Sequence, residues 1–121
     1  MSHILIVEDD PDLLDLYTFT LARTGREITA LYDPVSAIDL IQNPQFNPDL
    51  IFLDINMRAG ISGLGLMSLI ASTTRLKHVP VVVVTANDIY KEYALKAGAR
   101  EFLVKPIRIS DMADIANRFD A

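Results

Sequence analysis

The sequence predicts a three-layer α/β sandwich with a parallel sheet at its centre. Five short apolar or β-branched runs recur along the 121 residues, at Ile4–Val7, Glu27–Leu31, Leu50–Leu53, Val81–Val84 and Glu101–Val104. Three of them (Ile-Leu-Ile-Val, Leu-Ile-Phe-Leu and Val-Val-Val-Val) carry no alternating polar residue, as expected of strands covered on both faces. Helix-like segments separate the runs, and strict alternation of strand and helix requires parallel strands joined by right-handed crossovers.

The helices are read in order from their boundary signals. Asp10 before Pro11 is an N-cap followed by proline at the first helical position; Leu13, Leu14, Leu16, Tyr17 and Leu21 then form an apolar face that Gly25 closes. Asp33-Pro34 opens a second helix in the same way, with Val35, Ile38 and Ile41 on its face. A third runs from about Leu64 to Ser72, and a fourth from about Asp88 to Ala97, ending at Gly98. A fifth starts at Ser110, with Ile109, Met112, Ile115, Ala116 and Phe119 on one side. No repeat, linker or low-complexity stretch interrupts the pattern, so residues 1–121 are expected to form one domain.

Composition narrows the function. A net charge of −5 argues against a nucleic-acid-binding surface, and the absence of cysteine removes disulfides and thiolate metal sites. Apolar runs stay far below the ~20 residues that span a bilayer, and the first residues lead straight into a strand without a basic leader. The expectation is a cytoplasmic protein that contacts neither membrane nor nucleic acid.

In a doubly wound sheet, ligands bind beyond the carboxyl ends of the strands. The first strand delivers Glu8, Asp9 and Asp10 there, the third Asp54, the fourth Thr85, and the fifth Lys105 followed by Pro106. Singly, each has a plainer reading. Asp10 suits a helix cap, Glu8 and Asp9 a solvated loop, Thr85 a strand end and Lys105 the surface. Together they place acids, a hydroxyl and an ammonium at one edge. Clustered carboxylates repel one another unless a cation joins them. A donor set of hard oxygens without His or Cys favours Mg²⁺. A strand-end carboxylate can also attack a phosphoryl group to form an acyl phosphate.

These residues lie in four stretches that resemble the receiver domains of bacterial response regulators, over essentially the whole chain. They are Ile4-Leu-Ile-Val-Glu-Asp-Asp-Pro11, Pro48-Asp-Leu-Ile-Phe-Leu-Asp-Ile-Asn-Met57, Val82-Val-Val-Thr-Ala86 and Ala97-Gly-Ala-Arg-Glu-Phe-Leu-Val-Lys-Pro106. The resemblance implies a flavodoxin-like sheet of order 2-1-3-4-5 and a signalling rather than enzymatic role. Asp54 would be the phosphoacceptor. Glu8, Asp9, Asp54 and the backbone carbonyl of Asn56 would hold Mg²⁺. Thr85 and Lys105 would bind phosphoryl oxygens, the Lys105–Pro106 bond would be cis, and Phe102 would be the switching aromatic. The implied partners are a sensor histidine kinase or phosphotransfer protein, and a homodimer or output domain on the face formed by the fourth helix, fifth strand and fifth helix. Tyr90 and Tyr93, three apart on the fourth helix, either cover the sheet or flank that face together with Lys91.

Three features depart from the family pattern. Arg58 stands where proline usually follows Met57, the stretch from Asp54 to Gly63 is one residue longer than usual, and the chain from Thr85 to Lys105 is about two residues shorter. None removes a reactive group. Among rival readings, a haloacid-dehalogenase-type phosphatase would need an acid at position 56, where Asn stands. A flavin module would need a phosphate cradle where Glu8-Asp9-Asp10 stands. A degenerate receiver acting only as a docking module would not need the complete set of acids, Thr85 and Lys105.

Overall fold

In the computed structural model, which describes residues 2–55 and 63–119, the strands are β1 (His3–Val7), β2 (Glu27–Leu31), β3 (Leu50–Leu53), β4 (Val81–Thr85) and β5 (Glu101–Val104). They alternate with α1 (Pro11–Ala22), α2 (Pro34–Ile41), α3 (Gly63–Ser72), α4 (Lys91–Lys96) and α5 (Ile109–Phe119). All pairings are parallel and the order is β2-β1-β3-β4-β5. No described helix is long and apolar enough to cross a membrane.

The uninterrupted apolar runs follow from this architecture. Side chains alternate across a strand, so Leu5, Val7, Ile51, Leu53, Val81 and Val83 meet residues of α2, α3 and α4 on one face. Ile4, Ile6, Leu50, Phe52, Val82 and Val84 meet α1 and α5 on the other. Burying one such side chain contributes roughly 1.5–3 kcal/mol, and the three central strands bury nearly all of theirs. The edge strands do not: β2 and β5 hold no fully buried residue.

The caps form as the sequence suggests. Asp10 Oδ1 accepts the N–H groups of Asp12 (3.0 Å) and Leu13 (3.2 Å), and Asp33 Oδ1 accepts that of Ser36 (2.7 Å). Gly25 and Gly98 end α1 and α4 with φ of 84° and 113°, a region that favours glycine. Helix faces are narrower than their sequence stripes. Ala37 and Ile41 carry the burial of α2 while Val35 is exposed, and Ile109 lies outside the buried face of α5 formed by Met112, Ile115 and Ala116. The fourth helical segment begins as a 3₁₀ turn over Asp88–Tyr90 before α4. Neither tyrosine covers the sheet: Tyr90 is 39% and Tyr93 63% exposed, and Ala94 is the residue α4 buries.

Candidate functional site

Three polar residues at the carboxyl edge are each fixed by a backbone hydrogen bond that continues a strand pairing. Glu8 N–H donates to Leu31 C=O (3.0 Å), Asp54 N–H to Val7 C=O (2.9 Å), and Lys105 N–H to Thr85 C=O (2.7 Å). The buried strands therefore set the spacing of the reactive groups before any side chain chooses a rotamer.

Glu8 is 2% and Asp54 4% exposed; Asp9 is half-buried beside them. One carboxylate oxygen from each of the three lies within 4.8 Å of the others. The Lys105 ammonium approaches Glu8 Oε1 at 2.6 Å as an ion pair and donates to Asp54 Oδ2 at 3.1 Å. Glu8 Oε2 also accepts Asp10 N–H at 3.2 Å. Burial pushes the Glu8 carboxyl up to about 7, with Asp54 adding to the rise while Lys105 and the Asp10 amide oppose it. Burial acts against the charge on Lys105, but Glu8 and Asp54 outweigh it and hold the ammonium above the usual lysine range.

Three acids thus cluster at this edge, and two of them, Glu8 and Asp54, share one ammonium. These hard donors fit a divalent cation of the magnesium type. Thr85 fits the same picture. It is fully buried, and its Oγ1 has no hydrogen-bond partner among the described residues, a state that costs free energy until a ligand supplies one.

The sequence-derived candidates thus divide. Glu8, Asp9, Asp54 and Lys105 converge, Thr85 ends the neighbouring strand with its carbonyl bonded to Lys105 N–H, and the Lys105–Pro106 bond is cis. Asp10 is an exposed helix cap and not part of the cluster. Phe102, opposite Val83 in the sheet, is half-buried against the core beneath α4. Asn56, Met57 and Arg58 lie outside the described residues.

Two further residues shape the site. A Cβ on Gly63 would lie 2.5 Å from Asp54 O and 2.3 Å from Ile55 Cα, so only glycine lets α3 start against the backbone of the acidic strand end. The Gly63-Leu-Gly65 pair at the head of a helix was the available signal. Tyr17, read as a core residue of α1, is buried and shares a groove wall with Lys105. Burial raises its phenol above the usual range; Lys105 opposes the rise, and Glu8, Asp54 and Asp10 add to it.

Residues 4–117 match the family described as the response regulator receiver domain. A two-component response regulator-like protein of Arabidopsis thaliana, APRR3, is 32% identical over 93% of this chain and 23% of its own length. The chain spans about a quarter or less of the curated relatives it matches, from 18% to 24%. The receiver domain of sensor histidine kinase PA1611 from Pseudomonas aeruginosa, solved with magnesium in its active-site cleft, superposes with a TM-score of 0.84. It is 25% identical, over 98% of this chain and 96% of that one. The response regulator TrrA of Thermotoga maritima, solved in complex with Mg²⁺-BeF, gives a TM-score of 0.83 at 28% identity, over 98% and 99% of the two chains.

Proposed function

Because the chain belongs to the response regulator receiver family, we propose that Asp54 accepts a phosphoryl group from a histidine kinase or phosphotransfer protein and that the domain passes this event to an output partner. The observation that carries the proposal is the gathering of three carboxylates and one ammonium at the carboxyl edge of the sheet, where a buried hydroxyl also lacks a partner among the described residues.

In this reading an Asp54 carboxylate oxygen attacks phosphorus, the bond from phosphorus to the donor's imidazole nitrogen breaks, and the imidazole leaves neutral after taking up a proton. The product is an acyl phosphate, and water later returns it to carboxylate and inorganic phosphate. Glu8 and Asp9, with Asp54 and the Asn56 carbonyl, would hold Mg²⁺, which would offset their charge and that of the incoming phosphoryl oxygens. Lys105 moves from its carboxylate partners to a phosphoryl oxygen, and Thr85 Oγ1 donates to another. The domain performs no turnover beyond its own phosphorylation and dephosphorylation, and its place of work is the cytoplasm.

Donor and output contacts fall on different faces. An apolar groove of about 440 Å³, lined by Leu13, Leu16, Tyr17, Pro106 and Ile107, opens beside Lys105 and suits the donor because it is continuous with the reacting centre. Ile89, Tyr90 and Tyr93 around α4 and Val104 at the end of β5 are exposed apolar side chains, and this side of the domain suits a second copy or an output domain. Fluorine NMR with beryllofluoride, a phosphoryl mimic, tests the site. One bound beryllofluoride per chain is expected with Mg²⁺ and none without it or in Asp54→Asn. Equal binding in that variant would overturn the assignment.

A further inference from the structure

α1 packs on the face of the sheet opposite α4 and buries Leu14, Tyr17 and Leu21 there. Its outward side carries a second stripe. Asp12, Leu16, Phe19 and Arg23 follow one another at intervals of four, three and four residues, which places them on one side of the helix. All four are exposed, Phe19 to 62%. Single exposed apolar side chains are ordinary on a protein surface. Here Leu16 and Phe19 join Ile109, at the start of α5, with Thr20 and Arg23 around an apolar groove of about 290 Å³. Arg23 lies over the Phe19 ring, 5.5 Å from its centre. From one end of the helix to the other the stripe therefore runs acid, apolar, apolar, base.

We propose that this stripe binds a second copy of the chain, with the two α1 helices antiparallel about a two-fold axis between Leu16 and Phe19. Asp12 and Arg23 stand equally far from that point along the helix, as do Leu16 and Phe19. The antiparallel arrangement therefore sets Asp12 of each chain against Arg23 of the other, and Leu16 of each against Phe19 of the other. A two-fold interface has to be self-complementary, and this order of side chains makes it so. A parallel arrangement would place Asp12 on Asp12 and Arg23 on Arg23, and like charges oppose it. The four-three-four spacing is that of a coiled-coil seam, and the groove beside Ile109 receives the Phe19 ring of the other chain. A contact built on one helix of 12 residues per chain is small, so the dimer is weak and reversible. No residue of the stripe belongs to the acidic cluster, and the pairing stands apart from the phosphoacceptor reading.

Sedimentation velocity over a concentration series tests the pairing, on the whole chain in EDTA and without a phosphodonor. Wild type is expected to pass from monomer towards dimer as its concentration rises to about 1 mM. Asp12→Arg and Arg23→Asp each bring like charges together twice per dimer and should weaken it about ten-fold. Mixed in equal amounts, the two variants should regain dimer, because one stripe is then basic at both ends and the other acidic. Phe19→Ser should weaken association as well, with circular dichroism showing that this variant and both reversals keep the fold. The pairing is overturned if wild type stays monomeric, which would leave the groove to a different partner. It is equally overturned if the single reversals associate as wild type does, or if their mixture associates no better than either alone.

Discussion

The two ends of the sheet spend their polar groups in opposite ways. At the amino ends of the strands, side chains find partners within the chain. His3 Nε2 pairs with Thr29 Oγ1 at 2.6 Å, and Asp49 accepts His3 N–H at 2.8 Å. Arg75 donates to the carbonyls of Ile41 (2.7 Å) and Phe46 (3.0 Å), and Arg118 pairs with Glu101. At the carboxyl ends, three acids crowd together, two of them against one lysine, and the Thr85 hydroxyl has no partner among the described residues. One end is arranged for stability, whereas the other keeps crowded like charge and a buried hydroxyl that a ligand would complete. Polar substitutions should therefore have opposite signs at the two ends.

The largest effect is expected at the amino end. Arg75→Ala removes charge-assisted bonds to two backbone carbonyls and should destabilise the protein by about 2–3 kcal/mol. Urea midpoints check this, with no change expected in Mg²⁺ binding. At the carboxyl end, Asp54→Asn relieves like-charge crowding and should stabilise the metal-free protein by about 1 kcal/mol. Mg²⁺ at ten times its Kd should stabilise wild type by about 1.4 kcal/mol, and this gain should shrink in the variant. Melting curves in which Asp54→Asn is the less stable protein without metal would erase the contrast.

pH sharpens the same comparison. The Glu8 carboxyl rises from 4.5 to about 7 on folding, so between those values the folded chain holds the proton more tightly than the unfolded one. Stability from this group is therefore present at low pH and lost as pH rises through that window. In EDTA, wild type should lose more stability than Glu8→Gln from pH 4.5 to pH 7. Parallel curves for the two proteins would contradict the assignment. The smallest effect on stability should come from Tyr90→Ala, within about 0.5 kcal/mol for an exposed side chain. Its consequence should appear instead as weaker phosphorylation-dependent association in sedimentation experiments, with loading unchanged.

What the sequence revealed follows the same division. The central strands were legible because burial on both faces removes every polar residue from β3 and from β4 up to Val84. The site was legible because those strands end in residues whose chemistry a core does not require, Asp54, Thr85 and Lys105 among them. Periodicity located the helix stripes but not their margins: Val35 and Ile109 follow the apolar pattern yet are exposed, since only the centre of a stripe meets the sheet. The exposure of Tyr90 and Tyr93 was one of two readings, because a six-residue helix sets its facing through the turn before it. Gly63 was missed as a site residue because its requirement comes from a backbone it meets in space, not from its neighbours in sequence. The metal-binding role assigned to Asn56, and the departure at Arg58, fall outside the described residues.

The most direct measurement of the central claim is the intact mass of the protein after incubation with acetyl phosphate and Mg²⁺, wild type beside Asp54→Asn. One phosphoryl adduct per wild-type chain is expected, stable in acid, removed by base and absent when Mg²⁺ is chelated, with no adduct on Asp54→Asn. An adduct of the same yield and lability on Asp54→Asn would contradict it.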